Sequence, residues 1–178
     1  MSQRGLNARS DFVFEVTDLG RRVAGLSEVE RSAVTREAMG LPMIQVPAGS
    51  SVDLDLRFAS VVEGVLVTGS ADVPLHGQCA RCLKDFDRDE QIDLMELFLY
   101  PDKELDDEEA SRVVDDAVDL EPVIRDAVVL DLPFTPLCRE DCEGLCSLCG
   151  ADLNADPEHD HGEQIDSRWA GLSGLLDD

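Results

Sequence analysis

The sequence predicts an α+β fold: an antiparallel β-sheet or partly open barrel with peripheral helices, followed by a Cys-rich C-terminal segment. Three observations predict it. Apolar and polar residues alternate through much of 51–76, the period of a half-buried strand. Between 121 and 130 the period lengthens to that of a helix. All six cysteines fall in close groups, and four of them follow residue 137.

Taken in order, residues 11–20 set Phe12, Phe14 and Val16 at alternate positions, a short strand ending at Gly20. Residues 27–39 read as helix, opened by Ser27 three residues before Glu30 in the manner of a capping box. From 51 to 59 the strand pattern is strict: Val52, Leu54, Leu56 and Phe58 against Asp53, Asp55 and Arg57. Strands over 64–68 and 71–76 follow, separated by the turn signal Gly69-Ser70, so a meander with one buried face is expected. A further strand over 86–100 places Ile92, Leu94, Leu97 and Phe98 near a bend. Residues 101–121 hold ten acids against Lys103 and Arg112, a net of −8, so 102–110 is expected to be a mobile loop. The helix of 121–130 carries Pro122 early and Val123, Ile124, Ala127 and Val128 at helical spacing, and Pro133 and Pro136 stop it. A last helix is expected around 167–176, with Trp169, Leu172 and Leu175 as its docking face.

The resulting organisation is a mainly β region over 1–100, an acidic flexible loop over 101–120, and a helix with the Cys-rich segment over 121–178, packed as one domain. No stretch approaches the roughly 20 apolar residues of a membrane span. Met1 to Ser10 is polar, with Arg4 and Arg9 and no apolar run behind them, unlike a secretory signal. A cytoplasmic location with reduced thiols is the expectation. The formal net charge is −24, from 15 Lys and Arg against 39 Asp and Glu. Such a balance works against sequence-independent binding to DNA or RNA, which draws on basic groups displacing counterions from phosphates. It works equally against anionic membranes. Basic proteins and cations are the natural partners, with solubility alone as the plain alternative.

The chemistry lies in the cysteines and histidines. Cys79-Ala80-Arg81-Cys82 stands between two strand-like runs; Cys138 and Cys142 precede Cys146-Ser147-Leu148-Cys149-Gly150; His159-Asp160-His161 follows. Two C-x-x-C turns in a reducing compartment point to a metal rather than to disulfides. Such a turn presents two sulfurs to one ion at about 2.3 Å each, the geometry of structural Zn²⁺. Six Cys and two His are eight potential ligands, enough for two tetrahedral sites. Three partitions are open: two ions sharing all eight groups, one ion on Cys138, Cys142, Cys146 and Cys149, or one ion between the two C-x-x-C turns. A redox dithiol would call for a thioredoxin-like βαβ frame, whereas Cys79 follows a strand hairpin. His159 and His161 also fit a solvated acidic loop, since Asp156, Glu158, Asp160 and Glu163 surround them. His76 is a lone strand-end histidine, and Arg81, Lys84 and Arg88 form a small basic group that could meet a phosphate but is expected rather to pair with Asp85, Asp87 and Asp89. No nucleophile–base pair, Gly-rich phosphate loop or H-E-x-x-H pattern appears, so no catalytic residue is assigned. Full ligand sets favour structural metal over a catalytic ion, which keeps an open position.

Val62-Glu63-Gly64-Val65-Leu66-Val67-Thr68-Gly69 and Gly77-Gln78-Cys79-Ala80-Arg81-Cys82-Leu83 resemble the strand and C-x-R-C-L turn of YceD/DUF177 proteins. The run from Cys138 to Asn154 is similar to that family's second signature, and Ile165 to Leu172 to its ending. The resemblance covers most of 50–175. It implies a non-enzymatic factor in synthesis, processing or stability of 23S ribosomal RNA, with bound metal. Many members carry Cys-x-Cys where this chain has His159-Asp160-His161, a swap that preserves ligand capacity. On that ground His159 and His161 are paired with Cys146 and Cys149, leaving Cys79 and Cys82 with Cys138 and Cys142. The implied partners are ribosomal proteins or large-subunit assembly intermediates, with rRNA contact as a further option. Two other functions compete: a direct RNA-binding zinc protein, should Arg21, Arg22, Arg31, Arg36 and Arg81 cluster, and, more remotely, a zinc-dependent hydrolase.

Overall fold

A computed structural model describes residues 10–20, 25–103 and 110–162. The last helix expected over 167–176 and most of the expected mobile loop, 104–109, lie outside the described residues.

Alternation in the sequence becomes a six-stranded antiparallel sheet. Its centre is β6 (Gly64–Gln78), paired along its whole length with β7 (Asp85–Leu99). The other edge of β6 is shared: β5 (Ser51–Ser60) takes 65–72, and β4 (Ile44–Val46) takes 76–77. Pro74 lies in the gap where β6 changes partner, so its missing N–H costs no ladder bond on that edge. Outside β5 runs β2 (Leu26–Val34), and outside β4 runs β3 (Met39–Leu41). The sheet does not close.

One face carries the core: Val52, Leu54, Leu56 and Phe58 on β5, Val65, Val67, Ala71, Val73 and Leu75 on β6, Ile92, Leu94 and Phe98 on β7, with Arg31, Arg88, Glu90 and Glu96 towards its margins. A two-stranded sheet, β1 (Val13–Glu15) with β8 (Ala117–Asp119), brings Phe12 and Phe14 into this core, Phe14 packing 5.4 Å from Phe58 between ring centroids. Helix α1 (Thr17–Gly20) rests on β5, and helix α2 (Glu121–Asp131) on β7 and β3, burying Ile124 and Val128.

Four expectations change. The short strand expected to end at Gly20 stops at Glu15, and Thr17–Gly20 form helix α1. Residues 27–39 are not helix: 26–34 form β2, because nine residues pair with β5 and the ladder outweighs the local Ser27–Glu30 signal. Gly69-Ser70 is not a turn, since β6 runs straight through it. Gly69 has φ 151°, and a Cβ there would collide with the Asp55 carbonyl oxygen. That glycine lets two backbones approach rather than letting the chain reverse. Finally, the second half of the acidic stretch carries core: Val113, Ala117, Val118 and Leu120 are buried. Asp115 and Asp116, at φ 49° and 56°, form a tight turn closed by reciprocal N–H···O bonds between Val114 and Ala117 (3.0 and 2.9 Å), with the charges turned outward.

Candidate metal centres

The β6–β7 hairpin ends in Cys79-Ala80-Arg81-Cys82-Leu83-Lys84. The Cys79 amide donates to Lys84 O and the Leu83 amide to Cys79 O, both at 2.9 Å. The second C-x-x-C repeats this wiring: Cys146 N donates to Ala151 O and Gly150 N to Cys146 O, both at 2.8 Å. Leu83 (φ 59°) and Gly150 (φ 75°) hold the same left-handed place. Such a turn directs both sulfurs and several amide N–H groups to one point.

Four cysteines meet at the hairpin tip. The loop after α2 is pinned there by Ala80 N donating to Pro136 O (2.8 Å) and by the Arg81 guanidinium donating to Cys142 O (2.8 Å). Cys79 and Cys142 Sγ lie 3.8 Å apart, and Cys82 and Cys138 Sγ 3.7 Å apart. A disulfide requires about 2.05 Å. A tetrahedron of sulfurs around one ion at about 2.3 Å has edges of about 3.8 Å. All four sulfurs fall within 4.8 Å of one another, and Cys79, Cys82 and Cys142 are buried in a small cluster with Phe86 and Leu137 against it.

The second group is Cys146, Cys149, His159 and His161, again within 4.8 Å of one another but nearer the surface. Cys149 Sγ stands 3.2 Å from Nε2 of both histidines, whose Nε2 atoms are 2.9 Å apart. The two rings meet edge to face, 4.6 Å apart between centroids. Each of the eight predicted ligands therefore falls in one of two groups of four, and each group can hold a metal ion.

The donor chemistry fits a cation. Burial pushes the Cys79 thiol up, but the amides of Cys138, Cys82 and Arg81 outweigh it and bring it down to about 6. The amides of Leu148 and Cys149 lower Cys146 to about 6. Cys138 is pushed up to about 12, by burial and then by the sulfurs of Cys79, Cys82 and Cys142. Four crowded sulfurs cannot all ionise alone; a divalent cation reverses that penalty.

Sequence reasoning missed how the groups are tied together. Lys84 pairs not with a neighbouring β7 aspartate but with Asp152 (2.6 Å), and Arg88 pairs with Glu90. Lys84, with help from Asn154, holds the Asp152 carboxyl down to about 2. Asn154 donates to Cys142 Sγ at 3.6 Å. Pairing over so many residues leaves no periodic trace in a sequence. Lone His76 lies 2.8 Å from Asp87 and away from both groups.

Residues 67–176, which include both C-x-x-C turns, match a known family model described as large ribosomal RNA subunit accumulation protein YceD. The chain belongs to the YceD family. An uncharacterised Mycobacterium tuberculosis protein is 46% identical over 171 residues, 94% of this chain and 82% of its own length. A Mycobacterium leprae relative is 40% identical over 171 residues, 94% and 78% of the two chains. YlbN of Bacillus subtilis is 27% identical over 124 residues, 68% and 70%. No solved structure matches the chain. Among the described residues, no helix of this YceD-family chain is long and apolar enough to cross a membrane.

Proposed function

We propose that this chain is a non-enzymatic, cytoplasmic factor in synthesis, processing or stability of 23S rRNA, working through basic large-subunit proteins or assembly intermediates and braced by structural zinc. In this reading Cys79, Cys82, Cys138 and Cys142 hold one ion, and Cys146, Cys149, His159 and His161 a second. Zinc supplies a cross-link between the hairpin tip and the C-terminal segment, and no reaction step. The family description supports the rRNA role.

The observation that carries the partner reading is the solvent face of the large sheet. Glu28 and Glu30 of β2, Asp53 and Asp55 of β5, Asp72 of β6, and Asp85, Asp87, Asp89 and Asp93 of β7 are all exposed on it. Arg57 and His76 share that face, each already paired with an acid of it. Asp53 stands directly opposite Asp72, and Glu30 opposite Asp55. Like charges in register destabilise a sheet, and a cationic partner relieves them. Of the five arginines a direct RNA grip would use, Arg31 lies 4.1 Å over the Phe14 ring and Arg81 binds Cys142 O, while Arg21 and Arg22 lie outside the described residues.

Deleting the gene lowers 23S relative to 16S rRNA. In low salt, pull-downs retain large-subunit proteins after ribonuclease treatment, and Asp53→Lys with Asp72→Lys weakens that capture. The partner claim fails if ribonuclease releases everything while naked rRNA binds the pure protein tightly at physiological salt; direct RNA binding then replaces it.

A further inference from the structure

The two ligand groups share a polar bridge. Asn154 lies in the 149–159 loop, between ligands of the second group, yet its side chain reaches the first. Its Nδ2 donates to Cys142 Sγ at 3.6 Å and to Asp152 Oδ1 at 2.9 Å. Its Oδ1 accepts from the Glu143 amide at 2.9 Å and from the Arg139 guanidinium at 2.6 Å. Every bond the amide makes thus fixes which end faces the sulfur. Asp152 Oδ2 takes the Lys84 ammonium at 2.6 Å, two residues beyond Cys82. Backbone bonds from Leu153 N to Gly144 O (3.0 Å) and from Leu145 N to Arg81 O (3.2 Å) complete the connection.

We propose that an ion in the second group tightens metal binding in the first, with Asn154 as the positioning residue that couples them. This rests on reading both groups as metal centres. An ion held by Cys149 and His159 closes the loop in which Asn154 sits, removing most of that loop's freedom. Asn154 is then held with an N–H aimed at Cys142 Sγ, a sulfur buried in an all-thiolate centre with a net charge of about −2 once an ion is bound. Donation to that sulfur disperses its charge, as outer partners of metal ligands generally do. Coupling of this kind is reciprocal, so filling the first centre also tightens the second. The buried centre becomes the stable one, and the exposed Cys₂His₂ centre the one that adjusts it.

Cobalt(II) in the full-length reduced protein tests this, because the visible bands of an all-thiolate centre lie at lower energy than those of a Cys₂His₂ centre. Each centre is then followed separately against a competing chelator. His159→Ala with His161→Ala empties the second centre and lowers the affinity of the first about tenfold. Asn154→Asp keeps the acceptor for Glu143 and Arg139 but lacks the donor, and gives a similar loss. It also moves the sulfur-to-cobalt charge-transfer band of the first centre to lower energy, which a merely structural role would not do. Asn154→Gln, with the amide displaced by one methylene, shows the same band shift should Asn154→Asp fail to fold. Combining Asn154→Asp with the histidine changes weakens the first centre no further than Asn154→Asp alone. The inference is overturned if the Asn154 variants leave the band in place and the affinity within about twofold, or if the losses multiply independently. Wild-type protein that takes up no cobalt overturns the metal reading itself.

Discussion

Leu83 and Gly150 occupy equivalent places in the two C-x-x-C turns, with φ of 59° and 75°. An L side chain in that region costs roughly 1–2 kcal/mol, and glycine gives back about 0.5–1 of it through greater freedom in the unfolded chain. Leu83 is 54% exposed, so its side chain contributes little burial. Leu83→Gly is therefore expected to raise the unfolding free energy of metal-loaded protein, by about 0.5–1 kcal/mol. Gly150→Ala, whose Cβ would meet nothing within 4 Å, lowers it by a similar amount. Equal signs for the two changes would contradict the matched geometry. His76 gives a second prediction at this scale. Its hydrogen bond to Asp87 raises its pKa above 6.5, although burial works the other way. The pair stabilises the fold fully below pH 6.5, and that contribution fades as pH rises through the raised folded value. In an NMR titration His76 has its midpoint above 6.5, and Asp87→Asn brings the midpoint down. A midpoint unmoved by Asp87→Asn would remove the aspartate as the cause.

Between β5 and β6 the decisive contact is backbone to backbone at Gly69, beside Asp55 and Leu56. Gly69→Ala meets both a φ of 151° and the Asp55 carbonyl, so a loss of about 2 kcal/mol or more is expected in denaturant unfolding. A loss under about 0.5 kcal/mol would mean that the strands part easily there. The same glycine marks the limit of what the sequence reveals about elements. β5, most of β7 and α2 are legible because a buried face imposes a period on them, two residues for Leu54 and Leu56, near four for Ile124 and Val128. Gly69 reads as a turn since the requirement it answers comes from another strand. β2 misreads as helix because, on an edge, only Ala33 is fully buried and no period is enforced. β3 and β4, at three residues each, are too short to show one. The ligand residues are legible for a different reason: Cys and His are rare, and C-x-x-C spacing is local. Asn154, Asp152 and Lys84 are common residues whose meeting depends on the finished fold.

At the scale of the molecule, the described residues form two clusters of buried side chains, with Phe86 packed against both. The large one joins β1, the six-stranded sheet and α2; the small one is Cys79, Cys82 and Cys142, with Phe86 and Leu137 against it. Between 136 and 162 the buried residues are Pro136, Cys142 and Gly144, and one of them is a proposed ligand; Leu148, the longest apolar side chain of the second turn, is 61% exposed. So little apolar surface cannot hold some 25 residues in one conformation; under the proposed two-ion reading metal supplies the difference, which in small zinc peptides amounts to about 10–16 kcal/mol. The sheet draws on no ligand for its own core. Under the two-ion reading, native mass spectrometry of reduced protein finds two ions per chain. Stripping them with a strong chelator should then leave the far-ultraviolet β signal largely intact, while amide protection across 136–162 collapses. The hairpin tip, 79–84, should follow the C-terminal segment and not the sheet, since Ala80 and Arg81 bond to Pro136 and Leu145. Loss of the whole sheet on chelation would make the metal part of the global fold, and persistent protection of 136–162 without metal would leave the eight ligands no structural task.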